Sequence, residues 1–191
     1  PGMEPGRFAK ISPAPAWTVD TAQSSIKFKG AYMGRPFNGS FKKWDAAIQF
    51  DPAKPQDARI HVTIQMADPA KKGSSFIDAG DAYFNDNVTQ GDWFNVAKHP
   101  TATFDVNEGV FKDSETQYEA TGVLTVKGVK YPLRLPFTLN ITGANAKMHA
   151  EVKLQRLALG LGKDTKDKAS GDEEWVQNDV AVTVDVVATR Q

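Results

Sequence analysis

The chain has 191 residues, 40% apolar and 24% charged, which suits one domain or at most two small ones of ordinary water-exposed composition. With 23 acidic and 23 basic residues the net charge is +0, so no basic field is present to hold nucleic acid or an anionic membrane surface. Cysteine is absent, which removes thiol catalysis, disulfides and thiolate metal sites, and no apolar run approaches the length of a membrane span. The opening PGMEPGRFAKISPAPA has no apolar stretch of the kind a secretory leader needs. Residues 1–16 therefore read as a flexible N-terminal extension, and 17–191 as the folded domain.

From Trp17 the apolar period is two. Strands are expected near 17–20 with 23–33, then 37–50, 57–67, 101–111, 117–127, 130–142, 145–159 and 174–189. In YPLRLPFTLNI, Leu133, Leu135, Phe137, Leu139 and Ile141 share one face. Pro132 and Pro136 fall on the other, which suggests a strand edge or a bulge. In KMHAEVKLQR, Met148, Ala150, Val152 and Leu154 oppose His149, Glu151, Lys153 and Gln155. The turns DPAKPQD, KDSET, KGVK and TGANA separate the runs.

Residues 74–90 break this pattern. Phe76, Gly80, Tyr83, Phe84 and Val88 recur every three or four residues, so one short helix is expected there, capped by Ser74 or Ser75 and weakened by Gly80. The charged stretch KDTKDKASGDEE at 163–174 reads as a solvated loop. Several strands run to roughly 11–14 residues, or about 36–46 Å. Each has one apolar face, and one short helix cannot cover a sheet of eight. Closure of the sheet into an antiparallel barrel is the simplest way to bury those faces, and it leaves an elongated interior.

Catalytic signatures are missing. His61 and His149 lie on polar faces and His99 precedes a proline, so all three read as surface residues. There is no nucleophile elbow and no P-loop, and GLG at 160–162 opens no helix. N-x-[ST] triplets at Asn38, Asn87 and Asn140 read as chance. Two polar residues stand out on inward faces. Arg156 continues the row from Met148 to Leu154, and Asn178 sits between Val176 and Val180. A charge there needs a partner or a wet mouth, so Arg156 either pairs with a loop carboxylate or carbonyl at the barrel end or meets a ligand's polar head. The aromatics Trp17, Phe28, Phe41, Trp44, Phe104 and Phe137 read first as core.

Five segments in order carry a resemblance: WTVDTAQSSIKF (17–28), FNGSFKKWDAAIQFDP (37–52), GDWFNVAKHPTATF (91–104), ATGVLTVKGVKYPLRLPFTL (120–139) and LQRLALGLG (154–162) followed by Trp175. Together they closely resemble the YceI-like, polyisoprenoid-binding family from Trp17 to about Ala188. The finer pattern looks most like a subgroup attached to, or encoded beside, a b-type cytochrome membrane domain. The resemblance implies an all-β, eight-stranded, lipocalin-like barrel with one short helix, export to the bacterial periplasm, and an apolar tunnel for a polyisoprenoid or an isoprenoid quinone. It calls for no cofactor and no metal, and leaves the oligomeric state open, a dimer included.

Facing parity within that barrel nominates Phe28, Phe104, Leu124, Leu135, Phe137, Val182 and Val184 as ligand-lining residues. Trp93, Phe94 and Arg156 are placed at the ends. The expected role is carrier, store or scavenger. The rivals are a filled-barrel module docking on a membrane cytochrome or envelope complex, and an enzyme acting on a hydrophobic substrate.

Overall fold

A computed structural model describes residues 14–162 and 176–191. The expected extension up to residue 13, the charged loop 163–174 and Trp175 lie outside the described residues. Twelve strand segments form one sheet. They are β1 (Ala16–Val19), β2 (Ser25–Tyr32), β3 (Arg35–Phe41), β4 (Trp44–Gln49), β5 (Arg59–Gln65), β6 (Ile77–Asp78), β7 (Thr101–Asp105), β8 (Val110–Lys112), β9 (Gln117–Val126), β10 (Val129–Thr142), β11 (Asn145–Gln155) and β12 (Asp179–Arg190).

Three barrel strands are each built from two segments. β1 and β2 both lie along β12, through Val19↔Ala188 and Val182↔Phe28. β3 and β4 lie in turn along β2 and β1. β7 and β8 share β9, with residues 106–109 leaving the ladder between them. The neighbours then run β1/β2, β3/β4, β5, β7/β8, β9, β10, β11, β12 and back to β1, so eight antiparallel strands close a barrel. Short β6 adds only to the edge of β3. Closure satisfies the ladder edges that an open sheet would expose.

The expected strands 37–50 and 101–111 are each split in two and the last begins at Asp179, and two further sequence expectations change. The helix α1 covers only Ala82–Val88, and its N-cap is Asp81, whose carboxylate accepts from the Phe84 N–H at 2.8 Å. Ser74 and Ser75 cap nothing: Ser75 bridges to Ala67, and β6 follows. Gly80, at φ +103°, then reverses the chain into the helix, so the apolar spacing upstream of it belongs to a strand edge. The other change is at 145–159, where β11 stops at Gln155 because Arg156 turns into a single 3₁₀ turn over Leu157–Leu159.

The prolines read correctly. The first half of β10, residues 129–136, pairs with β9 alone, and β11 joins only from Phe137↔Ala150 onward. Pro132 and Pro136 cannot donate to a ladder, so β10 and β11 splay there. The 156–162 segment covers the splay: the Lys127 ammonium donates to Gly160 O at 3.1 Å, and Leu159 and Leu161 are buried. Among the described residues no helix is long and apolar enough to cross a membrane.

Candidate functional site: an apolar lumen with a sealed base and a built mouth

Inward residues of the barrel strands surround an elongated cavity of ≈ 310 Å³. That volume is at the lower end of the usual range for small-molecule sites, about 300–1,000 Å³. On β12 its wall runs from Val180 to Ala188, nine residues, whose eight rises make about 26 Å of strand and about 20 Å along the axis at the usual tilt. Phe28, Phe104, Val182 and Val184 face inward yet are only half-buried, because they face this lumen. The lumen surface is apolar throughout.

The base is packed shut. Trp17 is 6% exposed and its indole N–H donates to Phe50 O at 2.9 Å. The Phe50 ring meets Tyr118 edge-on at 5.9 Å, and Tyr118 stacks on Phe137 at 5.5 Å. Such ring pairs add to the area term of burial. Phe137, Leu139, Ala146 and Ala188 complete this end, all buried.

The mouth is built from three non-strand segments: 91–99, 156–162 and 176–178. Arg156 joins two of them directly. It is 2% exposed. Its Nη1 donates to Leu161 O at 2.8 Å and to Gly162 O at 3.4 Å, Nη2 donates to Val176 O at 2.6 Å, and Nε donates to Gln177 O at 3.2 Å. The guanidinium lies over the Trp93 ring at 5.3 Å. A buried charge is tolerated when its donors are directed at acceptors in this way, and a planar fork suits several carbonyls at once. Gly162 N–H closes the set by donating to Asp92 O at 2.7 Å. Asn178, the other inward polar residue, is part of the same brace: it accepts from Leu157 N–H at 3.0 Å and donates to Gln155 Oε1 at 2.6 Å.

All ten nominated residues reach the cavity wall: Phe28, Trp93, Phe94, Phe104, Leu124, Leu135, Phe137, Arg156, Val182 and Val184. The ladder brings Phe28 opposite Val182, and Phe104 opposite Leu124. Phe94 packs edge-on against Phe41 at 6.0 Å, and Phe41 against Phe28 at 5.2 Å, so an aromatic row leads from mouth to wall. For Arg156 the structure shows the carbonyl pairing, one of the two options left open by the sequence. The aromatics first read as core, Trp17, Phe41 and Trp44, also line the lumen.

Sequence reasoning missed Phe37, Val88, Leu159 and Leu161, which form the rim and the cover. In the sequence Val88 reads only as part of a helix. The alternation Leu157, Leu159, Leu161, with Ala158 and Gly160 between and Gly162 after, is a legible signal for a tight apolar cover. Among the described residues no group of three potential ligands is placed to hold a metal, and Arg156 is the one charged side chain on the lumen wall.

Comparison with known proteins adds three observations. The model of the YceI-like domain matches residues 17–188. The fold is similar to BcnA of Burkholderia cenocepacia, 31% identical with a TM-score of 0.75, covering 90% of this chain and 99% of that one. It is also similar to a polyisoprenoid binding domain from Saccharophagus degradans implicated in plant cell wall breakdown, 12% identical with a TM-score of 0.66, covering 93% of this chain and 99% of that one. Among curated proteins, a UPF0312 protein of Pseudomonas syringae pv. tomato is 33% identical over 119 residues, 62% of this chain and 57% of the relative. The chain spans little more than half the length of the curated relatives it matches.

Proposed function

The chain belongs to the YceI-like family, and from that premise we propose that it binds a long isoprenoid lipid, tail inward, as a carrier, store or scavenger. The observation that carries this reading is the lumen itself: elongated, apolar along its whole surface, and closed at the base. Each buried CH₂ contributes about 0.8 kcal/mol, so a branched hydrocarbon tail gains affinity there without any directional contact. A polar head gains nothing inside. The Arg156 donors are directed at backbone carbonyls, and a quinone or phosphate brought into the lumen would lose its hydrogen bonds to water. The head therefore belongs at the mouth, beside Trp93 and Phe94, and a quinone, a prenol and a prenyl phosphate differ little for this site.

The similarity to a polyisoprenoid binding domain supports the same ligand class. The proposal extends to a periplasmic setting and to docking on a membrane b-type cytochrome, both on the family resemblance.

The test is organic extraction of freshly purified protein, with mass spectrometry of the extract and native mass of the intact protein. A co-purifying species with prenyl-unit mass spacing, near one per barrel, is the expected result. An empty native mass, with no uptake of added polyprenols or quinones, would remove the reading. The barrel would then be a scaffold for protein contacts.

A further inference from the structure

We propose that the base of the lumen is a length gauge, with Trp17 as the stop that sets how many isoprene units the protein takes. The inference rests on the isoprenoid reading above and deepens it.

Three features point to Trp17. The first is fixity. The indole is held by its hydrogen bond to Phe50 O and is almost fully buried, so it cannot swing aside without leaving a buried acceptor unmet. Phe50 is itself braced by Tyr118. The second is the contrast beside it. Ala146 and Ala188 sit directly opposite each other in the β11–β12 ladder, and both line the lumen. On the neighbouring strand, Val19 pairs with Ala188, and Trp17 lies two residues further along the same inward face. Space at the bottom is thus opened by two methyl side chains and ended by the largest side chain in the repertoire.

The third feature is the apolar wall. Among the described residues Arg156, at the mouth, is the one charged side chain on the wall, so the depth of the tail is set by where it meets the floor. Affinity then rises with each unit that finds wall to cover. Once the tail reaches Trp17, further units stay outside in water and add nothing.

The experiment uses delipidated full-length protein and a ladder of all-trans prenols differing by one isoprene unit, each measured by displacement of a fluorescent lipid probe. For the native chain, Kd is expected to fall about tenfold or more per added unit and then level off at a defined length. Trp17→Ala should move that break to a longer prenol by at least one unit. Ala188→Phe should move it to a shorter one. Trp17→Leu and Ala188→Leu are the milder pair, and should shift the break in the same directions if either first variant fails to fold.

A break that stays at one length in all folded variants, or a native curve without a break, would overturn the gauge while leaving isoprenoid binding intact. Failure of every prenol to bind the native protein would overturn the isoprenoid reading and the gauge with it.

Discussion

At the base of the barrel, Trp17, Phe50, Tyr118 and Phe137 close the lumen with rings packed against rings. At the mouth, Arg156 closes it with hydrogen bonds to the carbonyls of two loop segments. The base residues lie on or next to strands that the ladder already holds in register. The mouth residues lie on turns, held together by a few hydrogen bonds, two of them from the Arg156 side chain. Segments of the second kind open locally at a lower free energy than paired strands. On the proposed carrier reading this division would let the mouth open for exchange while the packed base keeps the fold.

The sharpest break in that comparison is expected at Arg156. Arg156→Met keeps an apolar stem but leaves three buried carbonyls and a part-buried one without their donor, and the expected loss is about 3–5 kcal/mol of unfolding free energy. Arg156→Lys keeps the charge but has a single ammonium with no planar fork, so its loss should fall between native and Arg156→Met. Urea titration measures both. If the two variants unfold together with the native midpoint, the mouth is not braced by this residue.

A matched pair on one strand compares the base with the wall. Leu139 and Leu133 share the inward face of β10, but Leu139 is 9% exposed at the base, whereas Leu133 is half-buried and faces the lumen. Leu139→Ala should destabilise by about 2–5 kcal/mol, the usual cost of a core deletion. Leu133→Ala should cost only about 1–2 kcal/mol, because many of its removed atoms face the lumen rather than packed neighbours. For prenol affinity the order should reverse, with Leu133→Ala the weaker binder. Equal effects of the two on stability and binding would mean that base and wall are one core.

Next in size is Gly162→Ala. Gly162 has φ +70°, and a Cβ there would lie 2.6 Å from Arg156 Nη1 and 2.7 Å from the Trp93 ring. Strain and displacement together should cost about 1–3 kcal/mol. The near-ultraviolet signal of Trp93 should change while far-ultraviolet strand content stays, and ligand release should quicken.

Much of this was legible before any coordinates. Period-two patterning gave the barrel strands, and the same parity placed Phe28, Phe104, Val182 and Val184 on the lumen, since a strand residue's face follows from its position alone. Pro132 and Pro136 announced the splayed half of β10. The illegible part was whatever depends on contacts far apart in the chain. Arg156 could be read as a misplaced charge, but its acceptors come from residues 161–162 and 176–177, and nothing local tells a carbonyl partner from a ligand's head group. The helix was placed in the right stretch but began too early. Phe76 and Ile77 have helical spacing to Phe84, yet tertiary pairing of Ile77 with Phe41 outweighed that local pattern.

The smallest expected effect separates the outer face from the lumen altogether. His149 projects from β11 opposite Asp185 of β12, with Nδ1 2.7 Å from Asp185 Oδ1 and Nε2 3.3 Å from Glu151 Oε1. The hydrogen bond to Asp185 is the main cause that raises its pKa above 6.5; desolvation opposes it, and the charge of Asp185 and the hydrogen bond and charge of Glu151 add to it. Raised in the folded state, this group contributes stability that is complete below the unfolded value and disappears as pH rises through the folded one. His149→Gln should therefore lower the urea midpoint at pH 5 and have no effect once the pH exceeds that raised value. Both partners are about half exposed, so the difference should amount to a few tenths of a kcal/mol and shrink further in high salt. Prenol affinity should not change across the same range, because the His149–Asp185 pair points away from an apolar lumen. A prenol affinity that followed the His149 titration would mean that the β11–β12 ladder transmits strain from the outer face to the wall.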